Sequence, residues 1–434
     1  MIDSNNRINN LDALKFVCSF LIVCIHVPFI WDNGIYISLT RIAVPAFFMI
    51  TGFFYQQTVK RKHVKKQIVH ILSLIFWSNI FYFLEKFFFS FLKHNTRMYI
   101  KGFLCLENLK NLLLFNESPF EMHLWYLNAL LYVLIFVRLF YKIGIINKIV
   151  YCVPILLTVD LIFGKYSLLT FNKEFNILYV RNFLFVGLPY FLLGYYIDTT
   201  KDHIYKLSNT KYSIIIYSLI PLFIISTILE RNFLMIYEYN VTRDHYISTT
   251  ILVSIIFISA ILLPDLEYNN LLVKFGRKYS SFIYVIHLAV KDFLAILIGK
   301  IHLKGYMYFR PIIVFLTSLI SAILFYWIYD KICIKITNRN NTINNENICD
   351  KIKKYKKLKS DSETNNLPEL YNKKENCCGC SACYATCPVK AILMEQDDEG
   401  FLYPVIDVIK CIKCYKCTTV CAFKKDQNSQ YLIK

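Results

Sequence analysis

Eight cysteines near the C-terminus occur in two runs whose spacing is that of iron–sulfur ligands. Each run has the pattern C-x2-C-x2-C-x3-C, and the members are Cys377, Cys380, Cys383 and Cys387, then Cys411, Cys414, Cys417 and Cys421. This spacing is typical of thiolates that hold 4Fe–4S clusters, whereas a structural zinc site more often uses two separated pairs. The sequence therefore predicts two 4Fe–4S clusters rather than zinc.

The fourth cysteine of each run is expected to bind the cluster of the other run. In two-cluster ferredoxins the ligands cross in this way. One cluster would be held by Cys377, Cys380, Cys383 and Cys421, and the other by Cys411, Cys414, Cys417 and Cys387. Cys378 remains outside both sets, and we interpret it as a spare thiol beside the first ligand.

His26 is the candidate catalytic residue in the rest of the chain. Asp12, Ser19 and His26 are seven residues apart and therefore lie close to one helix face. A neutral imidazole can take a proton from a hydroxyl at physiological pH. Lys15 lies about 16 Å away along the helix and would suit the phosphates of an anionic donor. The alternatives are a histidine bound to a backbone carbonyl and a lysine that anchors its helix at the membrane surface.

The composition indicates that helices in a membrane must position these residues. The hydrophobic fraction is 56% and the aromatic fraction 17%, with a mean hydropathy of +0.42. We therefore predict an all-α polytopic membrane domain of about ten transmembrane helices, followed by a small α+β ferredoxin-like dicluster domain. The predicted spans are 11–30, 36–55, 68–92, 123–142, 147–163, 177–197, 212–228, 247–263, 281–299 and 310–334.

Basic residues follow every even-numbered span, which predicts an orientation. The positive-inside rule then places both termini in the cytoplasm, where reducing conditions preserve iron–sulfur clusters. The net charge of +19 indicates this topology and contact with anionic lipid rather than nucleic-acid binding. The predicted domains are the membrane part over 1–335, a flexible basic linker over 336–370, the cluster domain over 371–425 and a tail over 426–434.

Several dispersed motifs resemble the acyltransferase family 3 membrane proteins over roughly residues 7–335. The family pattern of an acidic residue, a basic residue and a histidine matches Asp12, Lys15 and His26. The other matching stretches are RIAVPAFFMITGFF from Arg41, HLWYLNALL from His123, RNFLFVGLPYFLLG from Arg181 and FGRKYSSFIYVIHLAV from Phe275. The resemblance implies transfer of an acyl group from a cytoplasmic acyl-CoA to a hydroxyl, commonly on a sugar or a cell-surface glycan, by a multi-pass protein of the bacterial cell membrane.

The resemblance also implies roles for single residues. His26 becomes the candidate base and Lys15 a candidate contact to the donor phosphates, although lysine lacks the bidentate fork of the more usual arginine. The candidate pocket residues are Arg41, His123, Trp125 and Arg181, for which ion pairing between helices and aromatic packing are the alternatives. His287 is either a substrate ligand or a packed imidazole.

The C-terminal part resembles the dicluster segment of proteins similar to the coenzyme F420 hydrogenase beta subunit, including the phrase EGFLYPVID from Glu399. This resemblance implies electron carriage and a soluble redox partner. Acyl transfer needs no redox step, so a second hypothesis is a membrane oxidoreductase whose clusters reduce a quinone-like acceptor. A third is a glycan transporter or polymerase built on the same helices.

Overall fold

The protein is mainly helical, with one small sheet near its C-terminal end. The computed structural model describes residues 7–30, 34–92, 105–206, 211–241, 245–301, 306–358, 367–397 and 401–421. Contacts divide the chain into two compact units, Met1–Asp330 and Lys331–Lys434. The predicted tail over 426–434 lies outside the described residues.

The first unit consists of helices joined mostly by short connections. They are α1 (Asn9–His26), α2 (Ile35–Thr40), α3 (Ala43–Phe53), α4 (Tyr55–Lys60), α5 (Val64–Leu92), α6 (Leu106–Phe115), α7 (Trp125–Lys142), α8 (Ile146–Ile149), α9 (Val153–Phe163), α10 (Ser167–Phe171), α11 (Leu188–Tyr205), α12 (Lys211–Ile236), α13 (Ile247–Leu262), α14 (Leu271–Lys278), α15 (Ser280–Ile301) and α16 (Tyr306–Leu358). Short 3-10 turns occupy Met122–Leu124, Val150–Cys152 and Ile177–Tyr179, and a π turn occupies Phe183–Gly187.

Eight helical stretches in the described part of the chain are long and apolar enough to cross a membrane. They are Asn9–His26, Ile35–Lys60, Val64–Phe91, Met122–Lys142, Ile146–Phe163, Tyr212–Ile236, Ser280–Ile298 and Tyr306–Ile332. Each corresponds to one of the predicted spans. The prediction of an all-α polytopic membrane domain is therefore confirmed.

The other two predicted spans, 177–197 and 247–263, do not correspond to any of these eight stretches. The first is interrupted, because the side chain of Asn182 accepts hydrogen bonds from the N–H groups of Leu184 and Phe185 and starts a new turn. Helix α11 begins only after this turn. Helix α13 has 16 residues, fewer than the roughly 20 that a perpendicular span requires. Eight of the ten predicted spans thus have the length and composition of a membrane helix.

The spans differ in how deeply they are buried within the protein. More than half of the first, second and fourth spans is buried, at 56%, 61% and 56%, whereas Val64–Phe91 and Tyr212–Ile236 are each 11% buried. Large side chains such as Phe76 and Trp77 are exposed on α5. Apolar exposure of this kind suits contact with lipid. Helices α1, α3 and α7 therefore form the centre of the bundle, and α5 and α12 form its periphery.

Helices α3 and α11 pack with their backbones in contact. A Cβ atom on Gly52 would clash with the carbonyl oxygen of Phe191, and a Cβ atom on Gly194 would clash with that of Met49. Small residues at helix crossings allow this close approach in membrane proteins. The two glycines, one on each helix, thus fix the distance between α3 and α11.

Helix α16 is longer than the sequence predicts. Residues 336–370 are predicted to be a flexible linker, but the helix continues to Leu358. No proline or glycine occurs between Pro311 and Pro368, so the chain contains no residue that would end the helix after the membrane span. The difference arises because a polar composition favours exposure to solvent but does not prevent a helix. Residues 359–366 lie outside the described residues.

The described C-terminal part contains a small mixed fold. It consists of a 3-10 turn (Lys374–Asn376), α17 (Ala382–Thr386), β1 (Ile392–Gln396), β2 (Leu402–Ile406) and α18 (Lys416–Thr419). The strands are antiparallel, with Ile392 opposite Ile406 and Gln396 opposite Leu402. The prediction of a small α+β domain is confirmed.

Candidate active site and candidate cluster sites

A cavity with an empty volume of about 520 Å³ lies among the helix ends of the membrane part. Its lining residues are Ile22, Ile25, His26, Arg41, Val44, His123, Trp125, Tyr126, Arg181, His245 and Tyr284. Five of the six candidate residues of the membrane part are among them. The structure therefore brings together residues from six separate parts of the sequence.

The imidazoles and arginines that line this cavity lie at the ends of helices. His26 is the last residue of α1, and Arg41, His123, Arg181 and His245 each lie two residues before a helix or a π turn. Helix N-termini carry partial positive charge from their unpaired N–H groups. Together with the two arginines, they give the cavity an environment that favours negative charge.

Three imidazole rings form a cluster at this cavity. The ring centroids of His26 and His123 are 6.0 Å apart, those of His26 and His287 are 5.3 Å apart, and those of His123 and His287 are 5.0 Å apart. The sequence predicts that His287 is either a substrate ligand or a packed imidazole. The structure places it in contact with His26, although it is fully buried.

Backbone carbonyls determine which nitrogen of two of these rings carries a hydrogen. His123 Nε2 lies 3.2 Å from the carbonyl oxygen of Val285, and His287 Nδ1 lies 2.8 Å from that of Tyr284. A carbonyl only accepts, so each of these nitrogens must donate. In the neutral rings the remaining nitrogens, His123 Nδ1 and His287 Nε2, then carry lone pairs. Both are buried and have no hydrogen-bond partner among the described atoms.

Further contacts hold His123 and Arg181 in place. The hydroxyl of Tyr284 donates a hydrogen bond to the backbone carbonyl of His123. The guanidinium of Arg181 lies over the ring of Trp125, 5.5 Å from its centroid, which is a cation–π contact. The Nε atom of Arg181 is buried and has no partner among the described atoms. This guanidinium therefore has donor capacity left for a ligand.

Lys15 is not among the residues that line the cavity. Its ammonium binds the carboxylate of Asp12 at 3.1 Å, and the same carboxylate binds Arg7 at 2.7 Å and Arg277 at 3.0 Å. Gly276 allows this arrangement, because a Cβ atom there would clash with the Asp12 carbonyl oxygen. Three cations surround one carboxylate, so this group at the start of α1 keeps an excess of positive charge.

Sequence reasoning did not identify three polar residues of the cavity, namely Tyr126, His245 and Tyr284. His245 binds Asp160, an acidic residue within the apolar stretch 147–163. An ionisable residue in a membrane span is a signal of function or of a buried partner. That signal was present in the sequence, but nothing in the sequence connected it with His245.

The cysteines of the C-terminal part line two cavities, of about 400 Å³ and 310 Å³. The first includes Cys377, Cys380, Cys383 and Cys421, together with Cys378 and Cys417. The second includes Cys387, Cys411, Cys414 and Cys417. Each cavity thus contains one of the predicted crossed ligand sets. No group of three or more His, Cys, Asp or Glu side chains in the described residues is close enough to hold a single metal ion.

The two cysteine runs share an unusual backbone conformation. The residues before and after the second cysteine have positive φ in both runs, at 66° for Gly379 and 61° for Ser381, and at 54° for Lys413 and 53° for Tyr415. Alternation of left-handed and right-handed residues turns backbone N–H groups toward one point, which makes a concavity for an anionic group such as an iron–sulfur cluster.

The donor set of these cavities suits clusters as well. The N–H group of Ala391 donates to Cys387 Sγ at 3.2 Å, and such bonds to sulfur adjust the reduction potential of a cluster. Burial raises the pKa of the Cys383 and Cys417 thiols. These thiols therefore have to release protons when they become ligands.

Comparisons with known proteins agree with both parts of the chain. A family model described as an acyltransferase domain matches residues 8–330, and one described as a 4Fe-4S dicluster domain matches residues 376–425. No curated protein and no solved structure matches the chain. The likeness to the hydrogenase beta subunit stays a prediction.

The first match spans most of the chain and contains every residue that lines the membrane cavity. It supports an acyltransferase activity, and the second match supports iron–sulfur clusters. The chain belongs to the acyltransferase family 3 of multi-pass membrane proteins and carries a 4Fe–4S dicluster domain after its helices.

Proposed function

We propose that the membrane part transfers an acyl group from acyl-CoA to a hydroxyl of a sugar or a cell-surface glycan. The observation that carries this proposal is the meeting of His26 with two further imidazoles and two arginines at one cavity. Imidazole is the side chain that best accepts a proton from a hydroxyl near neutral pH.

In the proposed step, His26 takes the proton of the acceptor hydroxyl. The oxygen of that hydroxyl attacks the carbonyl carbon of the thioester at the same time. A C–O bond forms, the C–S bond breaks, and the proton passes from His26 to the departing thiolate of coenzyme A. Atoms and charge balance, and no electrons are exchanged. The unprotonated nitrogens of His123 and His287 are suited to accept a hydrogen bond from protonated His26 and so to stabilise it.

Arg41 and Arg181 are proposed to stabilise the negative charge that develops on the thioester oxygen. Positive groups that are fixed before the reaction are worth most in a site with little water. The contact with Trp125 holds the guanidinium of Arg181. These roles would explain why both arginines line the cavity that contains His26.

The basic group at the start of α1 is proposed to bind the phosphates of the donor. Arg7, Lys15 and Arg277 surround Asp12 and leave an excess of positive charge. Lys15 and His26 are about 16 Å apart along α1. An extended donor would then have its phosphates at the basic group and its thioester at the cavity.

The protein is proposed to lie in the bacterial cell membrane with both termini in the cytoplasm. The basic residues after the even-numbered predicted spans support this orientation. The basic group of α1 would then face the cytoplasm, where acyl-CoA is made. The cavity would lie toward the outer side, where glycan acceptors of a cell surface are available.

The C-terminal domain is proposed to hold two 4Fe–4S clusters through the crossed cysteine sets. When bound, such a cluster takes up and releases one electron at a time. The cysteine residues would hold the clusters, and the backbone N–H groups near Gly379 and Lys413 would stabilise their charge. A soluble redox partner is proposed to exchange electrons with this domain, which acyl transfer itself does not need.

Acyl transfer can be tested in membrane vesicles that contain the full chain. Vesicles are given acyl-CoA with a labelled acyl group, and ester formation on lipid-linked and soluble glycans is measured by mass spectrometry. We expect an acyl mass increment at the same rate with and without dithionite. A quinone reduction that depends on the clusters, with no ester formed, would favour the membrane oxidoreductase instead.

A further inference from the structure

A fourth imidazole at the same cavity is paired with a buried carboxylate. His245 Nδ1 donates a hydrogen bond to Asp160 Oδ2 at 2.8 Å. Both side chains are almost completely buried, with 4% and 6% of their surface exposed. His245 nevertheless lines the cavity that contains His26. The pair is therefore connected to the candidate active site.

This pair is separate from the cluster formed by His26, His123 and His287. Asp160 lies on α9 and His245 just before α13, whereas the three clustered imidazoles lie on or next to α1, α7 and α15. A carboxylate in a membrane span is costly unless it is paired, so such residues usually mark functional sites. The cavity thus receives polar groups from two sets of helices.

Contacts around the pair keep it rigid. The two carboxylate oxygens of Glu230 accept hydrogen bonds from the N–H groups of Ile247 and Ser248, each at 2.9 Å. These bonds fix the first turn of α13 directly after His245. On the other side, the ring of Tyr190 lies 5.4 Å from the imidazole of His245. The imidazole is therefore held in one place before any ligand binds.

The carboxylate also determines the chemistry of the imidazole. Because Asp160 accepts the hydrogen of Nδ1, the neutral ring carries its lone pair on Nε2. A carboxylate partner holds this tautomer, as it does for histidines that bind metals or serve as bases. Among the described contacts, the hydrogen bond of His245 is made by Nδ1, so Nε2 is available to a ligand in the cavity.

We propose that His245, oriented by Asp160, binds a second hydroxyl of the acceptor, next to the hydroxyl that is acylated. This inference rests on the proposed function, and it specifies the acceptor as a compound with neighbouring hydroxyls, such as a sugar. His245 is then a residue that selects the acceptor, while His26 transfers the proton. Asp160 is a positioning residue, which acts through His245.

A structural pair that only joins α9 to α13 would behave differently. Its loss would lower the amount of folded protein and reduce all activities together. Loss of a hydroxyl-binding group instead raises the KM for an acceptor with neighbouring hydroxyls far more than it changes the reaction with a single-hydroxyl acceptor or with water. The KM for the acceptor and the rate of acyl-CoA hydrolysis by water therefore distinguish the two roles.

The experiment compares wild-type protein with His245→Phe in vesicles, using methyl glucoside and propanol as acceptors. Phenylalanine keeps a ring beside Tyr190 but cannot accept a hydrogen bond. We expect the KM for methyl glucoside to rise roughly 10-fold to 100-fold, because one hydrogen bond to the substrate is lost. The KM for propanol, which has no second hydroxyl, and the hydrolysis of acyl-CoA should change much less than the KM for methyl glucoside.

Asp160→Asn is the second variant, and it keeps a hydrogen-bond acceptor of the same size beside His245. We expect this variant to raise the KM for methyl glucoside by a smaller factor, of several-fold. If His245→Phe does not accumulate in the membrane, the KM of Asp160→Asn tests the hydroxyl-binding role. An unchanged KM for methyl glucoside, or an equal loss with both acceptors and in hydrolysis, would overturn the hydroxyl-binding role. The absence of ester on every glycan offered to wild-type vesicles would instead overturn the proposed function, which is a separate result.

Discussion

The cavity of the membrane part and the two cysteine cavities are built in opposite ways. The membrane cavity takes its residues from Ile22 to Tyr284, and packed helices fix its walls. The cysteine cavities take theirs from one short stretch, in which the buried hydrophobic residues among those described are Ala391, Ile392 and Cys417. So small an apolar core stabilises little by itself. The comparison indicates that helix packing forms the first site before a ligand binds, whereas the clusters must hold the second sites together.

Removal of iron should have the largest effect, and it should affect only one of the two regions. We expect treatment of the purified full chain with an iron chelator to unfold the C-terminal part, because ligand binding supplies much of its folding free energy. The measurement is limited proteolysis, which should cut within residues 371–421 and leave the membrane part intact. Anaerobically purified protein should contain roughly eight irons per chain.

Two single variants make this prediction sharper. Cys421→Ser should remove the cluster of the first cavity and Cys387→Ser that of the second, which electron paramagnetic resonance spectra would reveal. Cys378→Ser is the control and should keep both signals. A protease-resistant C-terminal part after chelation, or zinc in place of iron, would contradict the view that clusters hold this region together.

Substitution of His26 should have the next largest effect, this time on the membrane part alone. We expect His26→Ala to lower acyl transfer by roughly 10²-fold to 10⁴-fold, because a positioned base is lost. His26→Gln should not restore it. The amount of protein in the membrane and the iron content should stay at wild-type levels. Transfer near the wild-type rate in either variant would remove His26 from the mechanism.

Substitution at the contact of α3 and α11 should have the smallest effect. Gly194→Ala places a methyl group against the backbone of Met49, and we expect a loss of roughly 1–3 kcal/mol in the free energy of unfolding. Thermal unfolding in detergent measures this change, with Ser218→Ala on α12 as the control at an exposed position. Equal melting temperatures for the two variants would show that helix packing does not fix the cavity walls.

The cysteine cavities come from one short stretch of sequence and the membrane cavity from distant residues, and this difference explains how much of the molecule could be predicted from sequence. The cysteine sets were predictable, because their members lie close together in sequence and their spacing reflects cluster geometry. The membrane spans were predictable from apolar length, except for 177–197, where Asn182 interrupts the helix, and 247–263, where the helix has only 16 residues. The candidate residues His26, Arg41, His123, Trp125 and Arg181 were brought together only by a family resemblance.

The pair of Asp160 and His245 could not be predicted. The two residues are 85 positions apart, and neither lies in a stretch that carries the resemblance. Only the packing of α9 against the helices around it brings them together. The extension of α16 to Leu358 was missed for another reason, since polar composition indicates solvent exposure but does not exclude a helix.

The position of polar residues just before helices has a consequence for how this membrane fold diversifies. Arg41, Arg181 and His245 precede their helices, so their side chains can change without disturbing the close contacts between helix interiors. Mutations at His245 should alter which acceptor is used, whereas mutations at Arg41 or Arg181 should lower the rate of transfer to every acceptor. New acceptor specificities can then arise by single steps at helix ends, while the interhelical glycines stay constrained.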